Sequence, residues 1–178
     1  MTTMRSAHDS QLSERERTRL ARHFTVPGRS PYDDLTWERR DARLVDHRDG
    51  TVAFEQLGVE FPSSWSVTAS NIVAQKYFRG PEGRRESSLR QVIDRVVDTI
   101  AAWGQRDGYF ADADEEATFS EELRYLLVNQ LVSFNSPVWF NIGVPGVAQQ
   151  ASACFILDVE DDLPSILNWY VEEGLIFK

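Results

Sequence analysis

Residues 42–57 read ARLVDHRDGTVAFEQL, and the fold class turns on this stretch. Two runs, ARLVDH (42–47) and TVAFEQL (51–57), flank Arg48-Asp49-Gly50. Asp-Gly is a strong hairpin signal, because glycine takes a positive φ at no steric cost and lets the chain reverse tightly. The segment GVEFPSSW (58–65) continues the second run in extended form.

Working outward from the hairpin, the hydrophobic period changes from two to three or four. Ser66 opens an expected helix, SVTASNIVAQKYF, with Val67, Ile72, Val73 and Tyr77 as its apolar positions. A stronger helix begins at Leu89. Val92, Ile93, Val96, Val97, Ile100 and Trp103 form one stripe along it, and Gly104 and Gly108 are expected to end it. A second helix carries the stripe Phe119, Leu123, Leu126, Leu127 and Leu131, with Ser120 and the acidic run before it near its start. The two helices are joined by a short polar stretch and read as an antiparallel pair. Hairpin plus helices predicts an α+β domain.

Past Phe134 the pattern breaks. NSPVWFNIGVPG (135–146) carries Pro137 and Pro145 and shows no helical period. ASACFILDV (151–159) is short, apolar and β-capable, which predicts a strand. EDDLPSILNWYVEEG (160–174) predicts a helix with Asp161 or Asp162 near its N-cap and Pro164 in its first turn. The closing LIFK leaves an apolar run cut off, so a fragment of a longer protein is expected. At the other end, residues 1–12 read as disordered. SERERTRLARH (13–23) reads as a short charged helix with Ser13 and Glu16 in capping-box spacing. TVPGRSPYDDL (25–35) reads as an extended connector.

Composition narrows the function. The 178 residues are 42% hydrophobic and 26% charged, an ordinary globular balance able to bury a core. The net charge of −9 argues against a phosphate-backbone binder, so no nucleic-acid partner is expected. With no signal-peptide core and no apolar run of membrane-spanning length, a cytoplasmic protein with no membrane partner is expected. One cysteine, Cys154, rules out an internal disulfide framework, and His8, His23 and His47 show no ligand spacing, so no metal site is expected. Lys76, Arg79, Arg84 and Arg85 cluster around the loop RGPEGRRE (79–86), either as a solvated loop or as an anion or subunit contact. By itself, a lone cysteine in an apolar strand reads as a small core residue.

Seven segments, taken in order, change that reading. They are TWERRDA, DGTVAFEQLGVEFP, NIVAQKYFRG, QVIDRVVDTI, FNSPVWFNIG, SACFIL and SILNWYVEEGLIFK. Together they resemble the N-terminal part of the adenosylcobalamin-dependent (class II) ribonucleotide reductases, from about residue 23 to Lys178. The resemblance implies an α/β fold: a domain at 23–110, preceded by a leader at 1–22, and the start of a ten-stranded α/β barrel, truncated, at 111–178. It implies reduction of ribonucleotides to 2′-deoxyribonucleotides, with adenosylcobalamin as the cofactor of the full-length enzyme. A dithiol reductant such as thioredoxin is the implied electron donor, and a homodimer is compatible.

Residue by residue, the resemblance implies little more than three positions. Cys154 stands where one member of the reducing cysteine pair belongs, its partner lying beyond Lys178. Ser136, in Asn-Ser-Pro, stands where the bound nucleotide is contacted. Ala153 and Cys154 together stand where the first barrel strand lines the substrate. The chemistry of these types agrees: a Ser-Pro turn offers a hydroxyl to an oxygen-rich ligand, and a thiol transfers hydrogen only if rigidly held. Two alternatives stay open. One is a non-catalytic assembly module of a larger protein, which residues 23–115 would serve equally well. The other is the same barrel in a metal-radical reductase.

Overall fold

The computed structural model describes residues 20–81 and 83–178. Of the leader helix expected at 13–23, residues 13–19 with the Ser13 cap lie outside the described residues, and residues 20–23 are not helical. Two strands, β1 (Trp37–Val45) and β2 (Val52–Pro62), pair antiparallel about the expected turn. Gly50 has φ +74, and the loop closes through Asp46 N–H to Thr51 O at 2.8 Å and Gly50 N–H to Asp46 O at 2.9 Å. The hairpin is longer than its two alternating runs suggest. It extends through TWERRDA on one side and GVEFP on the other, with Trp37 opposite Pro62. Its register shifts between Arg40 and Ala42. Gly58 takes φ +65 there, and its N–H is accepted by the Asp41 carboxylate at 2.9 Å.

The buried face of the hairpin is Ala42, Val59 and Phe61, and four helices complete the core around it. Helix α1 (Val67–Lys76) is capped by Ser66, whose side chain accepts from Ala69 N–H. It turns Ser70, Val73 and Ala74 inward, not the Val67 and Ile72 expected; both of those are exposed. The reason is a buried hydrogen bond. Ser70 Oγ accepts from Arg40 at 2.8 Å and donates to Ser66 O at 3.0 Å, so a polar residue can occupy the inner face without penalty.

Helix α2 (Leu89–Arg106) carries a capping box from Ser88 and Gln91. It buries the expected stripe of Leu89, Val92, Ile93, Val96 and Val97. It also runs through Gly104, where it was expected to end. An added Cβ there would lie 2.7 Å from the Phe110 ring, so Gly104 serves a close approach and not a stop. The turn comes at Gly108, φ +72.

Helix α3 (Ala113–Val128) starts within the acidic run, as expected, is capped by Asp112, and packs on α2. Arg124, late in α3, donates to Asp94 (2.8 Å) and pairs with Asp98, both on α2, which fixes the antiparallel arrangement. Leu131 lies beyond the helix and is exposed, whereas Leu127 and Val128 are buried. Glu122 is also buried. Its carboxylate accepts from the backbone N–H groups of His23, Phe24 and Thr25 at 2.9–3.1 Å and from the Thr25 hydroxyl at 2.6 Å. Burial opposes the charge, but these donors together hold the carboxyl below its ordinary value.

The last third of the chain differs in character. A short helix α4 (Ser136–Asn141) docks on α2 through Val138, Trp139 and Ile142. Helix α5 (Leu163–Phe177) forms as expected, with Asp162 as N-cap and Pro164 in the first turn, yet it buries no residue. The strand expected at 151–159 does not form. A strand needs a neighbour for its backbone donors and acceptors, and no described strand lies beside this segment. The mixed α/β character is therefore observed as a two-stranded antiparallel sheet with five helices, among the described residues. No described helix is long and apolar enough to cross a membrane.

Candidate functional site

The segment Phe134–Gly143, FNSPVWFNIG, is where sequence and structure converge. It lacks an amphipathic period because it makes only six helical residues, with Pro137 in the first turn, where its ring fixes φ near the helical value. Asn135 precedes it in extended geometry, φ −66 and ψ 159. Trp139 is buried against Tyr77 and Phe134 and donates its indole N–H to Phe134 O at 3.0 Å. Gly143, φ +73, then passes so close to α2 that a Cβ would meet Arg95 O at 2.6 Å and Thr99 Oγ1 at 2.5 Å. Only glycine meets both conditions.

One side chain of α2 holds this helix in place. Arg95 donates to Ile142 O (2.6 Å), Trp139 O (3.2 Å) and Tyr77 O (3.3 Å), and pairs with Glu86 at 2.8 Å. The first two carbonyls belong to the C-terminal end of α4, where helical carbonyls lack internal partners and a cation is favoured. Glu86 in turn accepts from Arg79 N–H at 2.7 Å. Arg79 donates to Phe140 O at 3.1 Å and lies over the Phe140 ring at 5.0 Å. Burial, with repulsion from Arg95 and Arg85, pulls the Arg79 guanidinium below its ordinary value. Arg85 caps α1 by donating to Ala74 O and Gln75 O at 2.8 and 3.0 Å. Arg79 and Arg85 of the basic cluster thus close helix ends within the chain.

The three residues singled out from sequence fall in two places. Ser136 is half-buried in the first turn of α4, and its Oγ lies 3.2 Å from the Tyr77 hydroxyl. Ala153 and Cys154 are exposed in an irregular segment, held locally by Ser152, whose Oγ accepts from Cys154 N–H at 3.3 Å and donates to Cys154 O at 3.1 Å. The core reading of Cys154 is therefore corrected. Its neighbours Phe155 and Ile156 are exposed too, Ile156 fully, because nothing in the described chain covers them. The two places are joined by backbone and by Asn141, whose side chain donates to Gln150 O at 2.8 Å.

Arg95 and Glu86 gave no signal in the sequence. Arg95 borders the apolar stripe of α2, and its acceptors lie 44 and 47 residues away along the chain. Tyr77 was legible only as an apolar helix position, although its hydroxyl is what reaches Ser136.

The sequence profile described as class II vitamin B12-dependent ribonucleotide reductase matches residues 39–83 and 80–130, just over half of the chain. The chain belongs to this reductase family. The vitamin B12-dependent ribonucleotide reductase of Streptomyces coelicolor is 56% identical over 162 residues, covering 90% of this chain and 17% of the relative. Those of Rhodopirellula baltica and Agrobacterium fabrum are 36% and 30% identical, over 85% and 90% of this chain and 17% and 18% of their own lengths. The chain therefore spans about a sixth of the length of the curated reductases it matches. The profile runs from β1 through α1 and α2 to the end of α3, so it covers the hairpin and the antiparallel helix pair together.

Proposed function

We propose that this chain is the N-terminal portion of a B12-dependent ribonucleotide reductase, in which the 23–110 unit buttresses the start of a catalytic barrel at 111–178. The observation that carries the reading is the clasped Asn-Ser-Pro helix. Two carbonyl contacts from Arg95 at the end of α4, and the buried Trp139, set α4 rigidly on α2, as a residue meant to meet a substrate requires. Ser136 is then the nucleotide-contacting hydroxyl, and Ala153 and Cys154 line the substrate once the rest of the barrel covers them.

In this reading Cys154 and a partner cysteine outside the chain supply two electrons and two protons. The ribose 2′ C–O bond breaks, the oxygen leaves as water, hydrogen replaces it at C2′, and the two sulfurs close to a disulfide. A dithiol such as thioredoxin reopens that disulfide. A homodimer accords with the reading.

In the full-length reductase, adenosylcobalamin would supply the radical that initiates this chemistry. The described residues do not fit that group. Clefts along them, among them an apolar one lined by Trp65, Leu89, Leu127 and Trp139, measure about 350 to 520 Å³, a size suited to a small organic ligand and far below a corrin with its side chains. The cofactor surface is accordingly assigned to other parts of the reductase.

The test is Cys154→Ser in the complete reductase chain. Expected is loss of dithiol-driven turnover by at least about a hundredfold, with binding of CDP or CTP retained. Turnover near wild type would sink the redox assignment of Cys154.

A further inference from the structure

We propose that Tyr77 is a positioning residue for the Ser136 hydroxyl, orienting it as a donor toward a ribose or phosphate oxygen of the ribonucleotide. This rests on the reading of Ser136 as the nucleotide-contacting residue.

The Tyr77 side chain is fixed from several sides. Its backbone caps α1 through N–H to Val73 O at 2.8 Å, and its carbonyl accepts from Arg95 at 3.3 Å. Its ring is tilted against Trp139 (6.2 Å between centroids) and Phe140 (5.4 Å). The phenol has therefore one direction to point, and there its oxygen meets Ser136 Oγ at 3.2 Å. The same guanidinium of Arg95 holds Tyr77 and the far end of α4, so the two hydroxyls share one support.

The chemistry of the pair gives the contact a sense. A serine hydroxyl carries one proton and two lone pairs and rotates freely unless a partner selects its direction. A phenol is the better donor of the two. When Tyr77 donates, Ser136 accepts with one lone pair, and its own proton turns away from Tyr77. That proton is then available, and polarised by the first hydrogen bond, for an acceptor oxygen of the ligand. Replacing Tyr77 by Phe keeps the ring between Trp139 and Phe140 and removes only this ordering.

The experiment is a double-mutant cycle in the complete reductase chain, with CDP and CTP as probes. Affinity is measured by calorimetry, and steady-state constants are measured for whichever nucleotide turns over. Expected is a roughly tenfold loss of affinity for Ser136→Ala and a three- to tenfold loss for Tyr77→Phe. The double variant should bind like Ser136→Ala alone, and the Tyr77→Phe loss should fall on KM more than on kcat. Thermal midpoints should stay within a few degrees of wild type, which separates ordering from folding. Equal losses for Tyr77→Phe with and without Ser136 would overturn the inference, as would an unchanged affinity in Tyr77→Phe while Ser136→Ala binds weakly. An unchanged affinity in Ser136→Ala would instead overturn the nucleotide-contact reading itself, and the role of Tyr77 with it.

Discussion

Glu122 illustrates how a single residue can carry an assignment that no pattern predicts. Its position on α3 falls among the hydrophobic stripe, yet it is buried because three consecutive backbone N–H groups of the segment 23–25 and one hydroxyl converge on it. The folded carboxyl titrates below its ordinary value of 4.5, so its contribution is complete above that pH and is lost as pH falls through the folded value. Glu122→Gln should lower stability by about 2 kcal/mol near neutral pH, since the charge-assisted bonds become neutral ones. The gap between variant and wild-type thermal midpoints should narrow only as pH falls below 4.5 and through the folded value. A gap that stays constant from pH 7 to pH 3 would show that the charge of Glu122 is not what holds residues 23–25.

At the scale of elements, α4 depends on α2 more than on its own sequence. Six residues cannot sustain an isolated helix, because the costly first turn is never repaid by propagation. Arg95→Ala leaves two α4 carbonyls without their donor and Glu86 without its cation, which should cost about 3 kcal/mol. Hydrogen exchange of the Ile142 amide, bonded to Val138 O at 3.0 Å, should then rise to rates set by local opening while the amides of α2 stay protected. Uniform loss of protection across α2 and α3 would mean that Arg95 supports the whole core and not the clasp. Gly143→Ala should produce the same local loosening by a different route, since its Cβ would collide with Arg95 and Thr99.

For the whole molecule, the contrast lies between a closed core at residues 32–144 and an uncovered remainder. Phe155, Ile156, Val159, Leu163, Leu167, Tyr170, Val171, Leu175 and Phe177 are all exposed. Apolar side chains exposed in this number promote association when nothing covers them. Residues 20–178 expressed alone should therefore self-associate with concentration in sedimentation experiments, and removing 151–178 should leave a monomer with a cooperative melt. A full-length segment that stays monodisperse at high concentration would contradict this. The apolar character of α5 on all its faces accords with its burial in the proposed barrel.

The hairpin, the capping of α1 by Ser66, the core stripe of α2 and the start of α5 at Asp162 were all legible in the sequence. Each rests on neighbours within a few residues: a glycine free to take positive φ, a hydroxyl at an N-cap, apolar groups repeating each turn. The seven ordered segments likewise carried the family. Tertiary structure alone decided that Ser70 and Glu122 lie inside, that α2 passes through Gly104, and that Arg95 joins Tyr77 to the far end of α4. Those outcomes depend on partners distant in sequence, whose geometry no local period encodes. Cys154 shows the same division. Its residue type and motif could be read from the chain, but its exposure follows from which surfaces are present to cover it, and burial is a property of the assembled fold.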